Sequence, residues 1–168
     1  NLYGETFKVP EAYIPKAGAR VMGLGNPTSK MSKSDPNGCV FLMEKPEDIA
    51  RKFKRAITDS DTENCVHFDP ANKPGVSNLM NIYSAVTGKS IDEIEREFEG
   101  QGYGVFKPAV GDAVIETLRP IREEATRLLD DKAYLCSVYT EGAQKASVIA
   151  RKTLRKVYKK VGLVEKPF

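Results

Sequence analysis

AVGDAVIETLRPIREEATRLL, residues 109–129, decides the fold class of this 168-residue chain. Its apolar residues recur at the three- and four-residue spacing of an amphipathic helix. A second stretch with the same periodicity extends from about Ala133 to Val161. Pro120 is expected to kink the first helix, because proline removes one helical hydrogen bond. The two stretches predict that the second half of the chain is a helical bundle.

Shorter helices are predicted on the N-terminal side of this pair. Pro46 fits the first turn of one helix, whose expected inward face is Ile49, Phe53, Ala56 and Ile57. Ser77 is expected to cap the next helix, which Gly88 ends. Ser90 followed by Glu93 three residues later predicts a capping box and a further helix start. The fold class is therefore mainly α.

The first 45 residues differ from the rest because they are rich in glycine and proline. They contain one short apolar run, Ala19–Leu24, which is followed at once by turn-forming residues. We interpret this run as a single strand that opens into a long loop. The change in composition between residues 45 and 75 is the candidate domain boundary.

Composition excludes several classes of protein. The chain is 40% hydrophobic and 29% charged, with 26 Lys and Arg against 23 Asp and Glu. Its apolar runs fall short of the roughly 20 residues that a membrane-spanning helix needs, and its start does not resemble a signal peptide. We therefore expect a soluble, cytoplasmic protein with no membrane partner.

Cysteine and histidine usage argues against a disulfide scaffold and against a metal site. Cys39, Cys65 and Cys136 are far apart, and His67 is the one histidine in the sequence. Since these residues form no metal-ligand spacing, no metal site is predicted. We interpret them as ordinary structural residues.

The segment Ser29–Asn37, SKMSKSDPN, has the groups that could handle a triphosphate. Two lysines three residues apart alternate with hydroxyl side chains. Mobile ammonium groups can stabilise charge that develops on a leaving pyrophosphate, and hydroxyls can donate to phosphate oxygens. From these residues alone, a phosphate loop and an ordinary polar surface loop both remain open.

This segment contains a motif that changes the interpretation. Lys30–Ser34, KMSKS, resembles the signature of class I aminoacyl-tRNA synthetases, and the flanking sequence is similar to the bacterial tryptophanyl-tRNA synthetases. The stretches that carry this resemblance are residues 14–22, 34–37, 73–79, 81–84 and 102–107.

The resemblance implies a fold and a division into domains. Residues 1–44 would be the end of a Rossmann-like catalytic domain, with its last strand and the KMSKS loop. Residues 45–149 would form a helical domain that binds the tRNA anticodon, and residues 150–168 a C-terminal helix that packs back toward the catalytic domain. The family's first half, with its other signature and the tryptophan pocket, matches nothing here. The chain is therefore expected to be the C-terminal half of such an enzyme and inactive alone.

The resemblance also implies a reaction and its site residues. The family activates L-tryptophan with ATP and Mg²⁺ to the adenylate, and transfers it to tRNA(Trp). Lys30 and Lys33 would be catalytic, stabilising the pyrophosphate. Together with them, the ATP-binding residues would be Val21, Met31, Ser32 and Ser34. Magnesium would arrive with the nucleotide, without a protein-bound metal.

The tRNA contacts and the assembly are expected from the same resemblance. A basic helical face would contact the tRNA backbone; its members are Arg51, Lys52, Lys54 and Arg55. The full-length family members are expected to be homodimers. An alternative function is a free-standing tRNA-binding module that keeps a vestigial phosphate loop.

Overall fold

The computed structural model describes residues 2–14, 18, 20–62 and 65–164. The described residues form five helices and no strand, so the prediction of a mainly α fold is confirmed. The helices are α1 Pro46–Arg55, α2 Pro74–Thr87, α3 Ile91–Glu97, α4 Tyr103–Asp130 and α5 Lys132–Val161. None of the helices in these described ranges is long and apolar enough to cross a membrane.

The described residues divide into two compact units. One is the continuous segment Ile14–Glu124. The other combines the two ends of the chain, up to Tyr13 and from Ala125 onward. The KMSKS segment and helices α1 to α3 belong to the first unit. The domain limits implied by the family resemblance stay a prediction.

Helix α1 begins at Pro46, as the sequence predicts. Its first turn carries acidic residues and its last turn basic residues, an arrangement that stabilises the helix because these charges interact favourably with the helix dipole. Ile49 and Phe53 are buried. The prediction that Ile57 also faces inward is wrong, because the helix ends at Arg55 and leaves the Ile57 side chain 51% exposed.

Helix α2 begins earlier than the sequence predicts. Pro74 occupies its first turn, so Ser77 lies inside the helix and is buried. The capping role expected for Ser77 is therefore wrong. Its hydroxyl instead accepts a hydrogen bond from the Asp69 backbone N–H at 3.0 Å. The predicted end is confirmed, because Gly88 takes the left-handed conformation with φ 77°.

Helix α3 starts with the predicted capping box. The Glu93 N–H donates to the Ser90 hydroxyl oxygen at 3.3 Å, and the Ser90 N–H donates to Glu93 Oε2 at 2.8 Å. The hydrogen bonds that the Ser90 N–H and hydroxyl donate to the Glu93 carboxylate hold the pKa of that carboxyl below its usual value. The short helix is fixed at its N-terminus by its own sequence.

The two long helices are also present. Helix α4 includes Pro120 and begins at Tyr103, six residues before the predicted start. Helix α5 follows Asp131, whose side chain accepts a hydrogen bond from the Tyr134 N–H at 2.9 Å. It ends at Gly162, which is left-handed with φ 73°. The predicted span of α5 is confirmed to within one residue at its start.

The core of the unit Ile14–Glu124 joins α1, α2, α3 and the first half of α4. Its largest fully buried side chains are Phe53, Phe106, Ile49, Leu79, Met80, Ile94, Val76 and Val110. Leu24, from the N-terminal segment, belongs to the same cluster and is 3% exposed. The segment next to the KMSKS motif is therefore attached to the helical core.

The strand predicted over Ala19–Leu24 is not formed by the residues that the structure describes. Ala19 lies outside the described residues, and the remainder makes one isolated antiparallel bridge, between Met22 and Lys30. A strand requires a continuous ladder with a neighbour, whereas this segment pairs with one residue of a loop.

Gly75 sets how closely α2 approaches the segment that follows α1. A Cβ atom at this position would lie 2.1 Å from the Ile57 carbonyl oxygen, which is backbone and cannot move aside easily. We expect Gly75→Ala to lower the free energy of unfolding by about 1–3 kcal/mol through overpacking. Urea denaturation of the chain measures this change.

Gly142 in α5 provides the matched control, because a Cβ there meets no atom within 4 Å. Gly142→Ala should raise the free energy of unfolding by roughly 0.5–1 kcal/mol through helix propensity. Equal effects of the two alanine variants would show that the close approach at Gly75 costs nothing.

Candidate functional site

The KMSKS motif is attached to a short segment that precedes it. We call residues 21–24 the base segment and Ser29–Asn37 the signature loop. Met22 and Lys30 form the antiparallel bridge. Beside it, the Met31 N–H donates to the Val21 carbonyl at 3.0 Å. The first lysine of the motif therefore starts from a fixed backbone position.

Two further backbone hydrogen bonds close the loop at both ends. The Gly23 N–H donates to the Ser29 carbonyl at 2.9 Å, where the loop begins. The Leu24 N–H donates to the Gly38 carbonyl at 2.9 Å, directly after the loop ends. Both ends of the signature loop are thus held by the same base segment.

The middle of the loop is a turn built around Ser32. The Asp35 N–H donates to the Ser32 carbonyl at 3.0 Å, and the Ser34 N–H donates to the Ser32 hydroxyl oxygen at 3.2 Å. The Gly38 N–H donates to Oδ1 of Asp35 at 3.2 Å. Ser32 therefore holds the local shape of the loop in this structure.

Lys30 and Lys33 are exposed side chains. Neither makes an ion pair or a side-chain hydrogen bond with another residue in the described part of the chain. Ser32 and Ser34 are exposed beside them. The loop thus presents two ammonium groups and two hydroxyls to the surroundings, the chemistry that suits an anionic ligand.

Val21 and Met31 are brought side by side by the hydrogen bond between their backbones. Both are partly buried, and both pack against the core cluster. Each of the two apolar residues keeps part of its surface exposed near the start of the loop. A flat apolar group such as a nucleobase is the kind of ligand that such a surface accepts.

Asn78 of α2 forms two hydrogen bonds with the backbone of Met22, within the base segment. Its side-chain oxygen accepts a hydrogen bond from the Met22 N–H at 2.9 Å, and its Nδ2 donates to the Met22 carbonyl at 2.9 Å. Asn78 is 4% exposed. The sequence pattern assigns Asn78 no role in the site, although an asparagine inside the apolar run of α2 is itself a signal of a specific buried contact.

The basic residues expected to contact tRNA do not form one uniform face. Lys52 is turned inward, where its ammonium lies 2.5 Å from Glu44 and donates to the Cys39 carbonyl at 2.7 Å. Arg51 is exposed and pairs with Asp48 in the preceding turn. Lys54 and Arg55 are exposed as well. Lys52 therefore binds α1 to the segment that follows the signature loop.

A cavity of about 390 Å³ lies between the base segment, the end of the signature loop and α1. Its lining residues are Leu24, Gly25, Asn37, Arg51, Lys52, Arg55, Ala56 and Ile57. The structure therefore places Arg51 and Arg55, one helical turn apart, beside the end of the signature loop. Lys54 does not line this cavity.

A second polar cluster joins two stretches that are distant in sequence. The Tyr103 hydroxyl, at the start of α4, donates to Asp59 Oδ1 at 2.6 Å. The Lys73 ammonium, just before α2, lies 2.7 Å from Asp61 and 3.3 Å from Asp59. The cluster fixes the starts of α2 and α4 against the loop that follows α1.

Burial and hydrogen bonding act in opposite directions on the ionisation of this cluster. Burial alone would raise the pKa of Asp59, but hydrogen bonds from Tyr103, the Asp61 backbone and Lys73 outweigh it and hold that pKa below its usual value. Burial alone would lower the pKa of Lys73, but the carboxylates of Asp61 and Asp59 raise it. Both groups therefore stay charged near neutral pH.

Cys65, Cys136 and His67 are distant in sequence from the signature loop, whereas Cys39 lies two residues after it. Cys39, Cys65 and Cys136 are free thiols, the first two buried. Nδ1 of His67 lies 3.0 Å from Oε1 of Glu95, at the surface. Among the described residues, three or more acidic, cysteine or histidine side chains do not come together as a group that could hold a metal ion.

Comparison with known proteins gives a consistent result. A family model described as tRNA synthetases class I (W and Y) matches residues 1–119. A tryptophan–tRNA ligase of Wolinella succinogenes is 51% identical over 164 residues, which cover 96% of this chain and 49% of that protein. The chain spans about half the length of the curated relatives it matches.

Solved structures agree with the sequence comparison. A tryptophanyl-tRNA synthetase from Mycoplasma pneumoniae is 28% identical, with a TM-score of 0.74, over 88% of this chain and 46% of that one. The synthetase from Campylobacter jejuni complexed with ADP and tryptophan is 29% identical, with a TM-score of 0.66, over 96% of this chain and 49% of that one. The resemblance that the sequence predicted is confirmed, and the chain belongs to the class I tRNA synthetase family of the W and Y enzymes.

Proposed function

We propose that this chain carries the phosphate-handling loop and the helical tRNA-binding part of a tryptophan–tRNA ligase. In this reaction the tryptophan carboxylate attacks the α-phosphate of ATP, which forms tryptophanyl-adenylate and releases pyrophosphate. The tryptophanyl group is then transferred to the terminal ribose of tRNA(Trp). The similarity to relatives named tryptophan–tRNA ligase supports this choice of amino acid.

One observation carries the proposal. The KMSKS loop is anchored at both ends by backbone hydrogen bonds, and its two lysines are exposed without a partner among the described residues. An ammonium group that forms no ion pair with a carboxylate of the protein is available to an anionic ligand. A loop built only for solubility has no need of this anchoring.

The chemistry that these residues perform is electrostatic. Lys30 and Lys33 stabilise the negative charge that builds on the pyrophosphate as the bond to the α-phosphorus breaks. The Ser34 hydroxyl and backbone N–H groups of the loop donate to phosphate oxygens, while Ser32 holds the turn. Magnesium enters as the MgATP substrate. No proton has to be taken up by this part of the protein, because tryptophan attacks as a carboxylate.

Val21 and Met31 complete the nucleotide site in this proposal. Their exposed apolar surface lies against the adenine ring, and their buried part rests on the helical core. The adenine is therefore placed at the base of the loop, with its phosphates toward the two lysines. This placement requires a rigid base segment, because an error of about 1 Å in position is costly in catalysis.

The remaining parts of the proposal follow the family resemblance. Residues 1–44 belong to the catalytic domain, residues 45–149 to the anticodon-binding domain, and residues 150–168 pack toward the catalytic domain. The protein works as a cytoplasmic homodimer. The 168 residues alone do not activate tryptophan, because the pocket for its side chain belongs to the half of the relatives that this chain does not match.

Tryptophan-dependent exchange of labelled pyrophosphate into ATP tests the proposed function. The synthetase that contains this chain should catalyse exchange with tryptophan, and tyrosine should not replace it. The chain mixed with a separately made N-terminal half should recover part of this exchange. Tight binding of tRNA without any exchange would instead support the tRNA-binding module, and exchange with tyrosine alone would overturn the choice of amino acid.

The basic residues of α1 give a test of the tRNA-binding part. We expect Arg55→Ala to raise the Kd for tRNA(Trp) about fivefold, which corresponds to about 1 kcal/mol for an exposed charge pair with phosphate. The dependence of log Kd on log salt concentration should become shallower by about one phosphate contact. Filter binding over a range of salt concentrations measures both quantities.

Two comparisons keep this test specific. The rate of pyrophosphate exchange, which involves no tRNA, should stay unchanged in Arg55→Ala. Lys52→Ala should act differently, by lowering the stability of the protein, since Lys52 is paired with Glu44 and the Cys39 carbonyl. An unchanged salt dependence in Arg55→Ala would remove this residue from the tRNA contact.

A further inference from the structure

Asn78 is a polar side chain in the most buried part of α2. Apolar residues close to it in sequence are almost inaccessible: Val76, Leu79 and Met80 are 0%, 1% and 0% exposed. Burying an amide without hydrogen bonds costs several kcal/mol, so a buried asparagine has to find partners. Here both partners belong to one residue, Met22.

The pairing of the base segment explains why Met22 needs a side-chain partner. In an antiparallel pair, the backbone groups of successive residues point alternately to opposite edges. Val21 and Gly23 use the edge that faces the signature loop. The N–H and carbonyl of Met22 consequently point to the other edge, where no strand lies among the described residues, and the Asn78 amide takes the place of a neighbouring strand.

We propose that Asn78 is a positioning residue for the signature loop, which acts by fixing Met22 and through it the bridge to Lys30. This inference rests on the proposed function of the loop. Asn78 itself does not touch ATP. Its role is to keep the base segment straight, so that the loop closes over the phosphates from one defined starting geometry.

The choice of residue fits this role. A carboxamide has an acceptor and a donor on two separate atoms at the end of a short side chain, and Met22 requires one of each. Aspartate accepts from the Met22 N–H but has no donor for the carbonyl. The helix that carries Asn78 is itself held by its buried neighbours and by the close approach at Gly75. The amide is therefore a rigid part of the core.

The test uses adenylate formation by the synthetase that contains this chain, in the variants Asn78→Asp and Asn78→Ala. Rates are normalised to the concentration of active sites, so that a smaller folded fraction does not count as slower chemistry. We expect kcat for adenylate formation to fall about tenfold or more, with the Kd for tryptophan unchanged. Asn81→Ala on the same helix is the control and should leave kcat unchanged.

A double-mutant cycle with Lys30 separates positioning from a merely structural role. If Asn78 acts through Lys30, the Asn78 substitution should slow adenylate formation much less in a Lys30→Ala background. Amide hydrogen exchange of the segment 21–38 should also become faster in Asn78→Asp. If the effects of the two substitutions on the free energy of activation for adenylate formation were fully additive, the inference would be overturned.

Failure of the inference and failure of the proposed function give different results. Absence of tryptophan-dependent exchange in the unmodified synthetase would remove the proposed function and this inference with it. Normal exchange in the unmodified synthetase, together with an unchanged kcat in Asn78→Asp and Asn78→Ala, would remove the inference alone. If Asn78→Ala does not fold, Asn78→Asp, which keeps the volume of the side chain, decides the question.

Discussion

Replacement of Lys33 by alanine is expected to slow tryptophanyl-adenylate formation by about 100- to 1,000-fold, the effect of removing one donor that stabilises transition-state charge. The Lys33 side chain is exposed, and it lies in the turn between Ser32 and Asp35. In the proposed function its charge acts on the leaving pyrophosphate and not on tryptophan, so the Kd for tryptophan should stay nearly the same. Single-turnover measurement of adenylate formation separates the two quantities.

Lys45→Ala serves as the control for this prediction, because it removes an exposed lysine at the start of α1 without touching the loop. It should leave both the rate and the tryptophan affinity unchanged. A Lys33→Ala enzyme that forms the adenylate at the normal rate would contradict the assignment of the loop to ATP.

The structure also distinguishes the two lysines of the motif. Lys30 is fixed in a bridge with Met22, whereas Lys33 lies at the turn, away from the backbone bonds that close the loop. In the proposed function, Lys33 would follow the leaving pyrophosphate, while Lys30 would keep a constant place at the base of the loop. This difference is why Lys33 is the first choice for a test of transition-state charge.

Much of the helical architecture could be predicted because its signals are local. A left-handed glycine ends α2, a capping box starts α3, and an unbroken apolar period marks α5. Each of these features depends on residues within four positions of one another. The cap predicted at Ser77 is wrong, because Pro74 starts the helix one turn earlier and the serine then becomes a buried interior residue.

The site could be predicted only where it is continuous in sequence. The motif from Lys30 to Ser34 is such a case, since its sequence resembles the class I synthetase signature; its role in binding ATP stays a prediction. The contact of Asn78 with Met22 spans 56 residues, and nothing in the sequence around either residue indicates the other. The network of Asp59, Lys73 and Tyr103 is hidden for the same reason.

The basic face of α1 shows a related limit. Its four cations are equivalent by type and lie within five positions, yet the structure gives them different surroundings. Lys52 points inward because the chain after the signature loop passes over α1 and supplies Glu44 and a free carbonyl. Only the path of that segment decides which of the four is available to a ligand.

Phe106→Ala is expected to lower the free energy of unfolding by about 3–5 kcal/mol, the usual cost of removing a fully buried aromatic side chain. Phe106 is 0% exposed, and its ring packs edge-to-face on Phe98 at 5.0 Å and on Tyr83 at 6.5 Å between centroids. Phe106 lies in α4, Phe98 directly follows α3, and Tyr83 lies in α2. Urea denaturation of the chain measures the loss.

Neighbouring positions provide the controls for this prediction. Val105→Ala removes a side chain that is 54% exposed, so its effect should stay within about 0.5 kcal/mol. Phe106→Leu should cost less than Phe106→Ala because it leaves a smaller cavity. If Phe106→Ala proved as mild as Val105→Ala, the aromatic cluster would not be what joins α4 to α2. Because α2 also carries Asn78, a weakened cluster should loosen the base segment of the signature loop before the chain unfolds as a whole.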